Sequence, residues 1–281
     1  MDPQVKPLKY SMIFSINCNI GGIIMIIGMS ATRNWYQYLL TNIFATLSNN
    51  RVKKMYLFIE DDYIEDLELF NKNFDTEFIC INIHNLTNKY IKDSCPNISK
   101  RYSICTLTRL YFPKEIKEDK VLYIDVDAIP VADISGLWNM DLGDYYVAGT
   151  PDSGMERDGV VYLKYIDSNI PYINAGVLLM NLDLIRKDGI DDIWLERINN
   201  ERFMYNDQDV INSVCKGRIK YFLPEYNSSA STALLYNKED IKIMHYTMLK
   251  TDWVRNHKYS ELWYYYEDKY NEFKEEMKNN N

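Results

Sequence analysis

The segment Val121–Pro130, VLYIDVDAIP, restricts the folds open to this chain more than any other stretch. Its apolar, β-branched opening reads as a buried strand. Two carboxylates spaced i, i+2 follow, where the chain leaves the sheet, and ligands of open α/β sheets bind at such strand ends. On an extended chain, side chains two apart point the same way, so Asp125 and Asp127 face one point. Paired carboxylates repel unless a proton or a cation sits between them. A divalent ion with oxygen ligands and a bound diphosphate suits that arrangement. The bare D-x-D triplet is common in solvated turns; the apolar strand before it and the companions below set this one apart.

The flanking sequence repeats a strand–helix alternation. Ser11–Ile16 and Ile23–Ser30 read as strands, and Asn34–Leu47 has helical spacing, with Trp35, Tyr38, Leu39, Ile43 and Leu47 on one face. Lys54–Glu60 is the next strand, Ile64–Asn73 a helix and Glu77–Ile83 a strand. This β-α-β-α-β order predicts an α/β fold with a mostly parallel central sheet and helices on both faces. Asn85–Lys100 is polar and reads as irregular, and Tyr102–Tyr111 reads as a helix carrying Arg109, 16 residues before Asp125. After the carboxylates come a short amphipathic turn at Ile134–Asn139, a strand at Tyr145–Thr150 ending on Pro151–Asp152, and a polar loop from Ser153 to Asn169. Further strands are expected at Tyr172–Asn181, Arg218–Leu223 and Ile241–His245, and helices at Asp191–Asn199 and Asp207–Val214. Residues 1–256 form one expected domain and residues 257–281 a helical appendage.

Composition narrows the partners. A net charge of −8 over 281 residues argues against nucleic acid. Five scattered cysteines without a C-x-x-C pair fit neither zinc nor a disulfide framework, and suit a reducing cytoplasm. The apolar run Ile20–Met29 is too short to span a bilayer, which takes about 20 residues, and reads as a buried strand. The 24 tyrosines suit ring-stacking surfaces as well as a core.

Three later stretches carry chemistry. In YINAGVLLMN, small residues at the head of an apolar strand let a ligand approach the backbone. In NDQDVIN, Asn206 or Asp207 caps a helix, but a cap does not account for Asp207, Gln208 and Asp209 in a row. His245 ends an apolar strand, where it is a candidate third metal ligand.

Taken in order, LYIDVDAIP, NAGVLLMNL, NDQDVIN and HYTMLKTDW resemble the family 8 glycosyltransferases, retaining enzymes of the GT-A fold that include lipopolysaccharide galactosyl- and glucosyltransferases and the glycogenins. The resemblance runs from about Ile23 to Trp253. It implies that Asp125, Asp127 and His245 bind Mn2+ (or Mg2+), and that Val126 and Arg109 lie near a UDP-sugar donor. It further assigns Asn174, Ala175 and Gly176 to the segment holding the donor sugar, Asp207 and Gln208 to the reactive carbon, and Asp152 to the neighbourhood of sugar and acceptor. Asn34 matches an asparagine of the nucleotide pocket. The implied reaction moves a hexose to a saccharide or glycolipid acceptor of a cell-surface glycan, with scope for peripheral membrane contact through the tail.

The chain departs from the family pattern at defined places. The first-strand aspartate that contacts the base falls on Thr32; an alternative register uses Asn17 and Asn19. In the last motif, H-x-x-G-x-x-K-P-W, the glycine is Met248, the lysine Thr251 and the proline Asp252, with Lys250 one position away. A self-glucosylating enzyme and a binding protein with a decayed donor site are the rival readings. A sugar-phosphate nucleotidyltransferase lacks its expected Gly-rich loop here.

Overall fold

Short apolar runs alternating with helix-period segments build the first half of the sheet. A computed structural model describes residues 24–98, 103–152, 170–229, 232–247 and 257–279. The expected strand Ser11–Ile16, the start of the apolar run at Ile20 and the loop Ser153–Asn169 lie outside those residues. The rest of the run enters β1 (Met25–Ala31), buried along its whole length. A single 3-10 turn, Arg33–Trp35, leads into α1 (Tyr36–Asn49), so the helix starts two residues later than expected. Then come β2 (Val52–Ile59), α2 (Leu67–Asn73) and β3 (Glu77–Asn82). The stretch expected to be irregular begins instead as α3 (Ile83–Tyr90). Asn82 makes this direct strand-to-helix switch, its side chain accepting from the N–H groups of His84 and Asn85 at 3.0 and 3.4 Å.

The Arg109 segment is a 3-10 helix, Ile104–Leu110, rather than an α-helix. Next are α4 (Phe112–Glu115), β4 (Lys120–Ile124), β5 (Ala128–Pro130), α5 (Ser135–Trp138), β6 (Val147–Pro151) and β7 (Ile173–Asn181). The chain continues through α6 (Leu182–Lys187), α7 (Ile190–Asn200), α8 (Asn206–Val214), β8 (Ile219–Tyr221), β9 (Ile243–His245) and α9 (Ser260–Asn279). The main sheet runs β3-β2-β1-β4-β7-β6-β8, with β5 and β9 forming a separate pair.

Only β7 runs against its neighbours in that sheet. The other strands deliver their ends to the edge where Asp125 leaves β4; β7 delivers its beginning there. Ile124 pairs with Val177, and Asp125 N–H extends the ladder to Gly176 O at 2.7 Å. On the far side of the carboxylates Ala128 pairs with His245, and Tyr246 N–H donates to Asp127 O at 2.9 Å. Two antiparallel ladders therefore grip the D-x-D segment, one from β7 and one from β9. That is how residues far apart in sequence meet.

The C-terminal helix is laid onto this framework by an aromatic stripe. Trp263, Tyr266, Tyr270 and Phe273 recur at helical spacing and are buried. Phe44 of α1 meets Tyr270 and Phe273 at ring distances of 6.0 and 5.4 Å, and Phe70 of α2 stacks on Tyr270 at 5.8 Å. Burying the Phe273 side chain alone contributes on the order of 1.5–3 kcal/mol. The Tyr270 hydroxyl donates to Asp66 at 3.1 Å, which satisfies its polar end. Among the described residues, no helix is long and apolar enough to cross a membrane.

Candidate functional site

The two carboxylates do not sit on extended chain. Ala128 N–H donates to Asp125 O at 2.9 Å, closing a turn over Asp125–Ala128 between β4 and β5. The side chains still converge, because the turn is fixed at both ends by the ladders and from beneath by α1. Buried Asn42 points its amide at the carbonyls of Asp125, Val126 and Ala128, at 3.2, 3.2 and 2.9 Å. Thr46 donates to Asn42 Oδ1 at 3.1 Å, which holds that amide in the donating orientation.

Asp125, Asp127 and His245 each offer a ligand atom, and these atoms lie within 4.8 Å of one another. His245 Nε2 is 3.4 Å from Asp127 Oδ1. Two ligands bound at about 2.1 Å to one ion stand roughly 3.0–3.4 Å apart at octahedral to tetrahedral angles. The donor set therefore fits a divalent cation, with two hard carboxylates and one imidazole. His245 Nδ1 meets Asn227 Oδ1 at 2.7 Å, on the side of the ring away from the carboxylates.

The local charge also calls for a cation. Arg109 is the buried countercharge. Its Nη2 donates to Asp125 Oδ1 at 2.8 Å, its Nη1 to Ala175 O, and its guanidinium lies 4.1 Å from the Tyr123 ring centre. Nε stands 3.1 Å from Asp207 Oδ2, close enough for an ion pair although the N–H is not aimed for a hydrogen bond. Tyr123 adds a hydroxyl to Asp125 Oδ1, which leaves the second oxygen for a ligand. One guanidinium thus faces Asp125 and Asp207, with Asp127 beside them. Burial pushes the Asp125 carboxyl upward, Arg109 works against that shift, and Asp127 adds to it by like charge. Burial likewise pushes Asp207 up to about 7, again against Arg109. Burial works to keep the His245 ring neutral, but the carboxylates of Asp127, Asp125 and Asp152 together outweigh it and raise the ring's affinity for a proton.

Beside the carboxylates lies a second polar group of side chains. Asp152, just past β6, accepts from Asn174 Nδ2 at 3.1 Å and Gln208 Nε2 at 3.2 Å. Gln208 Oε1 takes Ala175 N–H at 2.9 Å, and Asn174 Oδ1 takes Gly176 N–H at 2.9 Å. Asp152, Asn174, Ala175, Gly176, Asp207, Gln208 and Arg109, drawn from four places in the chain, are thereby gathered next to the Asp125–Asp127–His245 cluster. Neither Asn206 nor Asp207 caps α8. Asp209 takes over the role of satisfying the preceding turn, accepting from Met204 and Tyr205 N–H at 2.9 and 3.0 Å, and so frees Asp207 and Gln208 to face the site.

Residues 26–255 match the sequence model described as glycosyl transferase family 8. The chain belongs to that family. Among its relatives, a putative glycosyltransferase of Haemophilus influenzae is 27% identical over 217 residues, 75% of this chain and 66% of the relative. The lipopolysaccharide 1,2-glucosyltransferase of Escherichia coli is 27% identical over 161 residues, 52% of this chain and 48% of the relative. The galactosyltransferase LgtC, solved with donor and acceptor sugar analogues, aligns with a TM-score of 0.70 at 23% identity, over 87% of this chain and 96% of that one. The fold of this family 8 chain is thus GT-A, as the strand order and the C-terminal helix also indicate. The chain spans 66%, 63% and 60% of the lengths of the first three curated relatives it matches.

The other positions that the resemblance assigns are Thr32, Asn34, Val126 and Lys250. Thr32 follows β1 at the same sheet edge as Asp125, its carbonyl accepting from Trp35 N–H at 2.8 Å, and Asn34 is exposed on the 3-10 turn. Val126 is half-buried at the apex of the carboxylate turn. Lys250, with Met248, Thr251, Asp252 and Trp253, lies outside the described residues. Sequence reasoning missed Asn42, Asn227 and Asn212. Asn212 pairs with both the N–H and the C=O of Ile173, at 2.8 and 2.9 Å, and so anchors α8 to the head of β7. Asn42 carried a usable signal: it is a polar residue on the apolar stripe of a helix, between Leu39 and Ile43.

Proposed function

We propose that this chain transfers a hexose, galactose or glucose, from a UDP-sugar to a hydroxyl of a saccharide or glycolipid acceptor in a cell-surface glycan, with retained anomeric configuration. The observation that carries the proposal is the cluster of Asp125, Asp127 and His245 directly beside the Asp152–Asn174–Gln208 group. A lipopolysaccharide glucosyltransferase among the relatives, and a structural neighbour solved with donor and acceptor sugar analogues, support the substrate class.

In this reading Asp125, Asp127 and His245 hold Mn2+ or Mg2+. That ion, when bound, supplies positive charge to the departing nucleoside diphosphate. Arg109 favours the ionised form of Asp125 against the effect of burial and orients it, and its contact with Asp207 ties the metal side of the site to the sugar side. Gln208 Oε1 has one lone pair on Ala175 N–H and another available to positive charge developing on the sugar carbon. An amide oxygen is too weak a nucleophile for a covalent role. Asp152, held by two amides, is placed to accept from sugar or acceptor hydroxyls. Thr32, Asn34, Val126 and Lys250 would meet the nucleotide. The same reading takes residues 1–256 as the transferase domain and 257–281 as its helical appendage.

The test is UDP release from a panel of UDP-sugars with Mn2+ or Mg2+, for wild type and Asp127→Ala. Release that depends on the metal and falls to background in the variant is expected. Equal release by both proteins would remove the metal from the account.

A further inference from the structure

Asn227 takes no part in the function proposed above, yet it is 2% exposed and lies against the metal cluster. It sits in the turn after a short 3-10 helix, Pro224–Tyr226, far from every motif of the sequence. Its amide makes two contacts, one through each end. Nδ2 meets Asn174 Oδ1 at 3.1 Å and Oδ1 meets His245 Nδ1 at 2.7 Å.

The direction of these bonds can be fixed without seeing a hydrogen. Gly176 contributes a backbone N–H, which can only donate, and it lies 2.9 Å from the end of the Asn174 side chain. That end of Asn174 must therefore be its carbonyl oxygen. A carbonyl oxygen facing Asn227 requires the Asn227 amino group, so the Asn227 oxygen must turn to the histidine. Facing an acceptor, His245 Nδ1 must carry a hydrogen. In the neutral ring Nε2 is then the atom with the free lone pair, and Nε2 is the atom 3.4 Å from Asp127. The direction of one backbone N–H, passed through two amides, decides which face of the imidazole can bind a cation.

We infer that Asn227 is a positioning residue for the metal site: oriented by Asn174, it holds His245 as the Nδ1–H tautomer with Nε2 presented to the cation shared with Asp125 and Asp127. The inference rests on the metal assignment in the proposed function but not on the sugar chemistry. Such outer partners of ligating histidines typically change metal affinity by 10–100-fold when removed.

The chain has three histidines, so ring nitrogen signals are few enough to assign individually. The experiment is nitrogen-detected NMR of the histidine rings in the metal-free full chain at mildly alkaline pH, paired with Mn2+ titration of the same samples. Wild type should show His245 protonated at Nδ1. Asn227→Ala should move the ring toward the Nε2–H form and weaken Mn2+ binding about tenfold or more. Asn227→Asp keeps an oxygen facing Nδ1 and should retain the tautomer, which covers the case in which the alanine variant does not fold. Wild-type His245 protonated at Nε2 would overturn the inference. So would an Asn227→Ala protein that lost thermal stability alone, with tautomer and affinity unchanged. Asp127→Ala separates the two readings: if it too leaves Mn2+ affinity unchanged, the metal assignment itself has failed.

Discussion

Gly176 and His245 touch so closely that a Cβ on residue 176 would stand 2.2 Å from His245 Cε1 and 2.9 Å from each ring nitrogen. The ring cannot swing away, because it is buried and tied to Asn227 on its other edge. The clash in Gly176→Ala therefore falls on the proposed metal ligand. Overpacking of this kind typically costs about 1–3 kcal/mol. We expect a lower thermal midpoint together with weaker Mn2+ binding by calorimetry. Gly28→Ala is the control: its Cβ would meet the Phe112 ring at 2.3 Å, within the core. It should lower stability and leave Mn2+ affinity unchanged. If Gly176→Ala behaved like Gly28→Ala, the contact would have no bearing on the metal site.

Arg109 carries the second prediction. It is 3% exposed and faces two carboxylates. Removing one partner of a buried ionic group leaves the others uncompensated, which costs roughly 3–5 kcal/mol. Arg109→Met should therefore show a large drop in denaturant midpoint. Arg109→Lys should recover little, since one ammonium cannot reproduce the fork that reaches Asp125, Asp207 and Ala175 O together. Adding Asp207→Asn to Arg109→Met should recover part of the loss, and a double-mutant cycle measures the coupling. Strict additivity would mean that Arg109 and Asp207 do not interact.

A third prediction concerns pH. Burial raises the Asp207 carboxyl to about 7, with Arg109 opposing and Asp125 adding like-charge repulsion. A group whose affinity for protons is higher in the folded state stabilises that state fully below its unfolded value. The contribution is lost as pH rises through the folded value. Metal-free wild type should therefore lose stability relative to Asp207→Asn as pH rises from about 4 to about 7, at no more than about 1.4 kcal/mol per pH unit. The difference should level off above that range. Urea midpoints across pH, with a chelator present, provide the check. A flat difference would show that Arg109 keeps Asp207 ionised throughout.

The sequence disclosed the parts of this site that carry their own local pattern. The apolar run before Asp125, the helix-period stripe before Asn49 and the N-A-G step each have a local cause, and each landed close to its expected place. The bonds that join them do not have one. The β7 strand reads the same in either direction, so its reversal in the sheet, which brings Gly176 to Asp125, could not be seen from alternation alone. His245 was picked out by its position at a strand end. The ladder that delivers it belongs to β5 and β9, two strands of three residues each, too short to leave a periodic signal. Asn227 and Asn212 look like ordinary loop and helix residues until their partners, 18 and 39 positions distant, are known. The expected cap of α8, Asn206 or Asp207, fails for a related reason: Asp207 is held by Arg109, and the N–H groups of the preceding turn are met by Asp209 from within the helix.

The last prediction tests the support under the carboxylate turn. Asn42 is fully buried on α1, and its amide faces three backbone carbonyls that lie 83 to 86 positions further along. Two N–H groups shared among three acceptors hold the turn without any strand pairing beneath it. Asn42→Ala removes the side-chain donor from all three carbonyls, leaving Asp125 O with the turn bond from Ala128 N–H, and each buried acceptor left unpaired costs about 1–3 kcal/mol. Asn42→Asp should be worse, because a carboxylate would face carbonyl oxygens where the amide now donates. Asn42→Leu fills the volume but offers no donor, so it separates packing from hydrogen bonding. If the turn depends on the amide, both Ala and Leu should weaken Mn2+ binding as well as stability, since the backbone positions of Asp125 and Asp127 would no longer be fixed. Restored metal affinity in Asn42→Leu would show that filling the space beneath the turn is sufficient.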